Sequence, residues 1–259
     1  GFESAMILIL AEALGIHRER VRYRRPSTSN IPDGGPSVAS RCTLMGGGAV
    51  VNAAKILKKQ MAELLAEQLH CTPSEVRFED DCLWDKDKNN KLTWSEASHQ
   101  LFLKQAYPYA FGVFQAPKVS WDEEKGKGNA YFTWVYGCDA VELTVNQKTG
   151  KITLLNYVST HDVGRAINKP MLLGQYYGGI AQGLGYALCE EVICPKGKIQ
   201  NDNFNKYRIL RATDMPEIKA FIVENHDPIS PTGAKAIGEP ALEIAAAAIA
   251  NAVYHATGE

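Results

Sequence analysis

With 259 residues, 45% of them hydrophobic and 22% charged, the chain has ordinary globular composition and enough length to bury a core without disulfide or metal staples. Its 28 Lys and Arg balance 29 Asp and Glu to a formal net charge of -1 with no long single-sign block. That removes the usual electrostatic case for nucleic acid or an anionic membrane as a partner. Six cysteines (Cys42, Cys71, Cys82, Cys138, Cys189 and Cys194) form no C-x-x-C pair. They read as reduced thiols of a cytoplasmic protein, with no disulfide frame and no iron–sulfur ligand set.

Taken in chain order, residues 4–14 predict a helix stopped by Gly15, followed by a short strand over 20–24 ahead of Pro26. The start at Gly1, without Met or a basic signal region and already inside an apolar helical pattern, gives the expectation of a segment processed or cut from a longer polypeptide. A loop rich in Ser, Pro, Gly and Asn runs to about residue 48. A second helix over 49–69 places Val50, Val51, Ala54, Leu57, Met61, Leu64 and Leu65 at helical spacing. Thr72 and Glu75 have capping-box spacing but sit in a turn, and Val76, Phe78 and Cys82 alternate as a strand. A short helix over 95–105 closes the first half.

The period then changes. Val141, Leu143 and Val145 alternate with polar neighbours, and a turn over 147–150 leads into residues 152–158, a hairpin with one buried face. A loop through His161, Asp162 and Gly164, a glycine-laden helix over 170–190, a mixed stretch to Val223 and a helix over 240–256 complete the chain. Helices and strands interleave throughout, which predicts a mixed α/β (α+β) fold in two subdomains. The first, 1–110, contains the loop 32–48; the second, 111–259, contains the glycine-rich helix 172–191 and the motif 238–240. The most apolar stretches, 5–11 and 244–250, fall far short of the roughly 20 residues a membrane helix needs.

Three glycine-bearing segments need a physical reason. Gly174, Gly178, Gly179, Gly183 and Gly185 each cost about 1 kcal/mol against Ala in a helix interior. Either close helix packing or a ligand against bare backbone, with Gln175 supplying amide donors and acceptors, offsets that cost. The loop from Asp33 to Gly48 offers hydroxyls and backbone N–H groups ahead of a helix N-terminus, a setting for an anion or a polar heterocycle, although no Gly-Lys-Ser/Thr follows as in a P-loop. In the third segment, Gly233 to Ala241, Pro240 and Glu239 fit a plain helix start, and a carboxylate on a rigid turn after Gly238 also suits a general base.

In this order the loop from Pro32 to Thr43, the run His161-Asp162-Val163-Gly164-Arg165-Ala166-Ile167-Asn168, the helix start Gly174-Gln175 with residues 178–191, the Asp214-Met215-Pro216 turn and Gly238-Glu239-Pro240 are distinctive. The chain resembles the molybdenum-cofactor subunits of the xanthine dehydrogenase and aldehyde oxidase family, specifically the C-terminal half of their molybdopterin-binding portion. The resemblance implies that Glu239 is the catalytic base, taking a proton from the oxygen nucleophile as it attacks an electron-poor carbon of a purine, another N-heteroaromatic compound or an aldehyde. It implies that Gln175 contacts the pterin, that Val38, Ala39 and Ser40 lie beside the metal, that Gly174, Gly178, Gly238 and Lys235 belong to the cofactor site, and that Arg41 and Cys42 lie near it.

The cofactor so implied is molybdopterin or its cytosine dinucleotide form, whose own dithiolene holds the metal, so no protein metal ligand is expected. Other glycine-rich cofactor loops of the family have no counterpart here. The resemblance therefore implies half a cofactor cage, completed by the N-terminal half of the molybdopterin-binding portion, with iron–sulfur clusters and FAD on partner domains or subunits.

A different reading is a noncatalytic binding or assembly module taking calcium. Asp85, Asp87, Asn89, Leu92 and Glu96 fall at positions 1, 3, 5, 8 and 12 of an EF-hand loop spanning 85–96, with Asn90 at the glycine position. Against it, a strand precedes the loop and Lys86, Lys88 and Lys91 dilute its charge, so a hairpin turn is favoured. Among the remaining residues, His161 fits a loop imidazole bonded to backbone. Tyr131, Phe132, Trp134 and Tyr136 fit core aromatics on a strand, and Arg18, Arg20, Arg22, Arg24 and Arg25 a solvated basic run.

Overall fold

Leu14 ends helix α1 (Phe2–Leu14) because Gly15 turns left-handed, with φ of 67°. A β-carbon at Gly15 would also lie 2.2 Å from the Phe78 carbonyl oxygen, so no other residue fits that stop. In this computed structural model residues 1–258 are described; Glu259, the end of the second predicted subdomain, lies outside the described residues. The chain divides into two units, Gly1–Phe132 with Pro228–Ala234, and Thr133–Asp227 with Lys235–Glu259.

In the first unit α1 packs on α2 (Gly47–Leu65), which a π-helical turn, Cys42–Gly46, precedes. The expected strand over 20–24 is absent: Arg18–Arg20 forms a 3-10 turn and the following residues find no strand partner, while Arg20 Nε lies 3.1 Å from Asp81. Strands β1 (Arg77–Glu79), β2 (Cys82–Trp84) and β3 (Lys91–Thr93) form an antiparallel meander that leads directly into α3 (Trp94–Leu103). Met61, Leu65, Leu69, Leu83, Ala97 and Leu101 make the core of this unit. Thr93 caps α3 in a reciprocal box with Glu96, and Thr72 with Glu75 caps the 3-10 turn Pro73–Glu75.

Residues 111–132, assigned from sequence to the second subdomain, belong to the first unit. The reason is local packing. Asn52 Nδ2 donates to the Val113 carbonyl at 2.8 Å, and Gly112 lies so close to α2 that a β-carbon there would be 2.1 Å from the Ala49 carbonyl oxygen. Beyond this arm, β4 (Ser120–Asp122) and β5 (Lys127–Asn129) pair as a two-stranded hairpin.

The second unit is built on a three-stranded sheet in which β6 (Gly137–Val145) pairs antiparallel with β7 (Ile152–Asp162), and β7 pairs parallel with β8 (Glu217–Val223). A parallel pair requires a long crossover, here carried by α4 (Lys169–Leu188). The expected loop at His161 and Asp162 is the end of β7, since these residues pair with Ile222 and Val223 of β8, and the mixed stretch before Val223 contains that third strand. Helix α5 (Pro240–Glu243) breaks at Ile244 before α6 (Ala245–Thr257), so the single expected helix over 240–256 is two. Tyr157, Val163, Tyr176, Ile180, Leu184, Ala245 and Ile249 form the buried core between sheet and helices.

The glycines of α4 divide by environment. A β-carbon at Gly179 would meet the Ala241 β-carbon at 2.9 Å, and one at Gly183 would meet the Ala245 β-carbon at 2.6 Å and the Leu242 carbonyl oxygen at 2.8 Å. At Gly174 and Gly178 it would meet nothing within 4 Å. Ala at position 183 gains about 1 kcal/mol of helix propensity but loses about 1–3 kcal/mol to overpacking, so Gly183→Ala lowers the melting temperature. Gly178→Ala raises it, by the propensity gain of about 1 kcal/mol. Thermal unfolding of the two single variants followed by circular dichroism checks both directions.

Candidate functional site

Two stretches of the predicted site lie in the first unit. In the loop 32–43, the Asp33 carboxylate accepts from Gly35 N at 2.8 Å, and the Arg41 guanidinium donates to the Pro36 carbonyl at 3.3 Å, so the turn is braced from within. Val38 is 56% exposed. Ala39 and Ser40 both adopt left-handed φ, 53° and 52°, and Arg41 returns to right-handed helical geometry. Two consecutive left-handed non-glycine residues cost about 1–2 kcal/mol each, and such handed turns gather successive backbone N–H groups into an anion-binding concavity. The second stretch departs from expectation. Gly46, Gly47 and Gly48 lie inside the helical segment and not ahead of it. A β-carbon at Gly47 would meet Ile9 Cδ1 at 2.9 Å and one at Gly48 the Phe114 side chain at 2.5 Å, so their small size serves packing.

The remaining site residues lie in the second unit. Asn168 caps α4 by accepting from Met171 N at 3.3 Å. Gly174, Gln175 and Gly178 then share its exposed face with Tyr177, while Tyr176 and Ile180 point into the core. Glu239 is exposed and immediately precedes Pro240, the first residue of α5, with Gly238 exposed beside it. The packing of Gly179 and Gly183 against α5 and α6 brings the helix that carries Gln175 to the helix pair that Glu239 begins. The structure thus joins two predicted segments, the glycine-rich helix and the Gly238-Glu239-Pro240 motif, within one unit.

Lys235 sits elsewhere than in an open cofactor surface. Its ammonium is buried against the Asp162 carboxylate at 2.5 Å and lies 5.6 Å from the centre of the Tyr136 ring, and its backbone N–H donates to the Val163 carbonyl at 2.8 Å. Burial pushes the Asp162 carboxyl upward, but the Lys235 ammonium, the Gly164 N–H and the Asn225 amide outweigh it and hold the group below the ordinary aspartate range. His161, at 2% exposure, places Nε2 3.2 Å from the Pro240 carbonyl and Nδ1 3.3 Å from Ser159 Oγ. A carbonyl only accepts, so Nε2 carries a proton. Sequence patterning missed the Asp162–Lys235 pair because 73 residues separate its members; the signals were two charged residues inside otherwise apolar or small-residue runs.

The EF-hand spacing is taken up by a hairpin. The Asp85 carboxylate accepts from the backbone N–H groups of Asn89 and Asn90 at 2.8 and 3.1 Å, the left-handed residue is Lys88 and not Asn90, and Glu96 is committed to the Thr93 cap. Among the described residues no group of three or more His, Cys, Asp and Glu side chains is placed to hold a metal ion. Tyr131, Trp134 and Tyr136 are 62%, 56% and 68% exposed and lie outside any strand, so they are not the core aromatics expected. Among the described residues no helix is long and apolar enough to cross a membrane.

Removing the Lys235 ammonium leaves a buried carboxylate without its counter-charge, which costs about 3–5 kcal/mol. The Asp162 carboxyl is depressed in the folded state, so its contribution is fully present above the ordinary carboxyl pKa of about 4 and is lost as pH falls through the lowered folded value. Lys235→Met is therefore strongly destabilised at pH 7, and the gap between parent and variant narrows near pH 3. Urea unfolding at the two pH values measures it.

A family model described as "Molybdopterin cofactor-binding domain" matches residues 1–216. The chain is 29% identical to the 6-hydroxypseudooxynicotine dehydrogenase complex subunit gamma of Paenarthrobacter nicotinovorans, covering 100% of this chain and 32% of that protein. It is 27% identical to the xanthine dehydrogenase molybdenum-binding subunit of Escherichia coli O157:H7, covering 100% and 34%. It thus spans about a third of the length of these curated relatives. The crystal structure of quinoline 2-oxidoreductase from Pseudomonas putida 86 superposes on 100% of this chain and 32% of its own with a TM-score of 0.86 at 24% identity, a likeness of fold. With more than four-fifths of its length matched by that model, the chain belongs to the molybdopterin cofactor-binding domain family.

Proposed function

We propose that this chain forms part of the molybdenum-cofactor site of a hydroxylase that inserts water-derived oxygen at an electron-poor carbon of a purine, another N-heteroaromatic compound or an aldehyde. The observation that carries the reading is the exposed Glu239 carboxylate at the start of α5, which packs against a helix whose outer face stays bare at Gly174 and Gly178 beside Gln175. These two glycines forgo about 1 kcal/mol each of helix propensity, and no atom of the chain lies where their β-carbons would be. Backbone left bare in this way fits a planar polar cofactor lying against it. Gln175 offers the amide pair such a heterocycle needs, and in the other unit the left-handed turn at Ala39 and Ser40 by itself suits an anionic group.

When bound, the molybdenum cofactor supplies the oxygen-transfer centre and accepts two electrons. The overall change, R–H and water to R–OH with two protons and two electrons, needs a base and an electron exit. Glu239 is assigned the base: its carboxylate takes the proton of the attacking oxygen. Iron–sulfur clusters and FAD on partner domains or subunits would supply the electron exit, and the N-terminal half of the molybdopterin-binding portion would complete the cage. The names of the relatives, a 6-hydroxypseudooxynicotine dehydrogenase and a xanthine dehydrogenase subunit beside an aldehyde oxidoreductase, support that range of substrates.

Glu239→Gln is nearly isosteric and cannot accept the proton, so in the assembled enzyme it keeps molybdenum content and loses turnover by at least about 10²-fold. Activity within tenfold of the parent refutes the assignment and favours a noncatalytic module. Gly178→Ala, which helix propensity stabilises, lowers molybdenum occupancy as measured by metal analysis, and unchanged occupancy removes the cofactor role of that helix face. The chain expressed alone binds less than stoichiometric molybdenum, and full occupancy would require the cage to be complete within it.

A further inference from the structure

We infer that the end of strand β7 is a clamp that sets the position of Glu239, with His161 and Asp162 as positioning residues; the inference rests on the assignment of Glu239 as the base. The segment from Lys235 to Pro240 is tied to β7 at both ends, and Glu239 lies between the ties. At its start, the Lys235 N–H donates to the Val163 carbonyl at 2.8 Å and the Lys235 ammonium meets Asp162 at 2.5 Å. At its finish, His161 Nε2 donates to the Pro240 carbonyl at 3.2 Å. The last two residues of β7 and Val163, which follows them, therefore hold a segment of six residues.

The clamp is itself immobilised. Gly137 is the cross-strand partner of His161, and a β-carbon there would lie 2.5 Å from the imidazole, so the ring occupies space that only glycine leaves. Tyr176 packs edge-on against the imidazole with ring centres 5.2 Å apart, and its hydroxyl lies 3.2 Å from the His161 carbonyl and 3.3 Å from the Phe221 carbonyl of the neighbouring parallel strand. Asp162 is fixed in turn by the Gly164 N–H at 3.0 Å and the Asn225 amide at 3.4 Å. A carboxylate that must meet a proton within about an ångström of a set place needs such a rigid seat. The sheet provides it through hydrogen bonds to backbone, leaving the Glu239 side chain exposed.

His161→Phe keeps the ring and removes the donor; His161→Gln keeps a donor where Nε2 stands; Lys235→Met removes the ammonium contact with Asp162 and leaves the Lys235 N–H bond to the Val163 carbonyl. Hydrogen exchange by mass spectrometry on the full chain reads the loop directly. His161→Phe speeds exchange in peptides covering 236–244 by about tenfold, the effect of one hydrogen bond, while peptides of α4 and β6 stay at parental rates, and His161→Gln restores the loop. In the assembled enzyme the same Phe variant lowers kcat by about 10- to 100-fold with KM and molybdenum content unchanged, again restored by Gln.

The clamp is overturned if 236–244 exchange at the parental rate in His161→Phe, if exchange in that variant rises uniformly across the second unit, or if the loop loosens with no change in kcat; in Lys235→Met, which is destabilised throughout, exchange of 236–244 is read relative to that of α4 and β6, and an unchanged ratio likewise overturns the clamp. Should the Phe variant not fold, Lys235→Met against His161→Gln decides by the same peptides. Glu239→Gln separates the two readings: it leaves loop exchange unchanged, and if it also leaves turnover unchanged the base assignment fails while the clamp is still judged on exchange.

Discussion

The buried contact between Asp162 and Lys235 is the constraint from which the arrangement of the second unit follows. Two charges taken out of water are costly unless each is met by the other and by further hydrogen bonds. The structure meets that condition with the Gly164 N–H and the Asn225 amide on the carboxylate. Once that pair is fixed at the end of β7, the chain returning through Lys235 must run alongside the strand end, and the Lys235 N–H reaches the Val163 carbonyl as a consequence. The loop then has only enough residues to reach α5, whose first carbonyl meets His161. Electrostatics at one residue pair thus dictates where a helix begins.

Helix α4 answers to two different neighbours. Its inner face, with Tyr176, Ile180 and Leu184, belongs to the unit's own core, and Gly179 and Gly183 let α5 and α6 approach to distances no side chain would permit. These glycines are explained by packing alone. Gly174 and Gly178 are not, because the space above them is open. A single helix therefore carries glycines of opposite meaning, told apart only by what a methyl group would touch.

Much of this was legible in the sequence and some of it was not. Gly15 announced the end of α1, the alternation of Val141, Leu143 and Val145 announced the hairpin, and the ordered motifs pointed to the family whose model matches residues 1–216, a stretch that includes Gln175 and the glycine run but not Gly238-Glu239-Pro240. The strand expected near Arg22 failed because a strand needs a partner, which local pattern does not supply. His161 and Asp162 looked like loop residues because polar side chains at a strand end resemble a turn; their burial is set by β8 and Lys235, more than 55 residues away in sequence. Gly46 to Gly48 looked like an anion-binding lead into a helix, and became helix once Ile9 and Phe114 needed room. In each case the missing information was a contact distant in sequence.

What distinguishes the exposed face of α4 from an ordinary solvated surface is the sign of its energetics. A solvated helix position gains by replacing glycine with almost any residue, and nothing in the fold opposes that gain at Gly174 or Gly178. The same reasoning applies to the left-handed Ala39 and Ser40, where asparagine or glycine would carry less strain. Tyr107, Tyr109 and Phe111, at 77%, 74% and 54% exposure, forgo burial that each would gain by being covered. Three separate features each hold the isolated chain above the free energy its length could reach. Each departs from what helix propensity, backbone strain or burial alone would select at a solvated position.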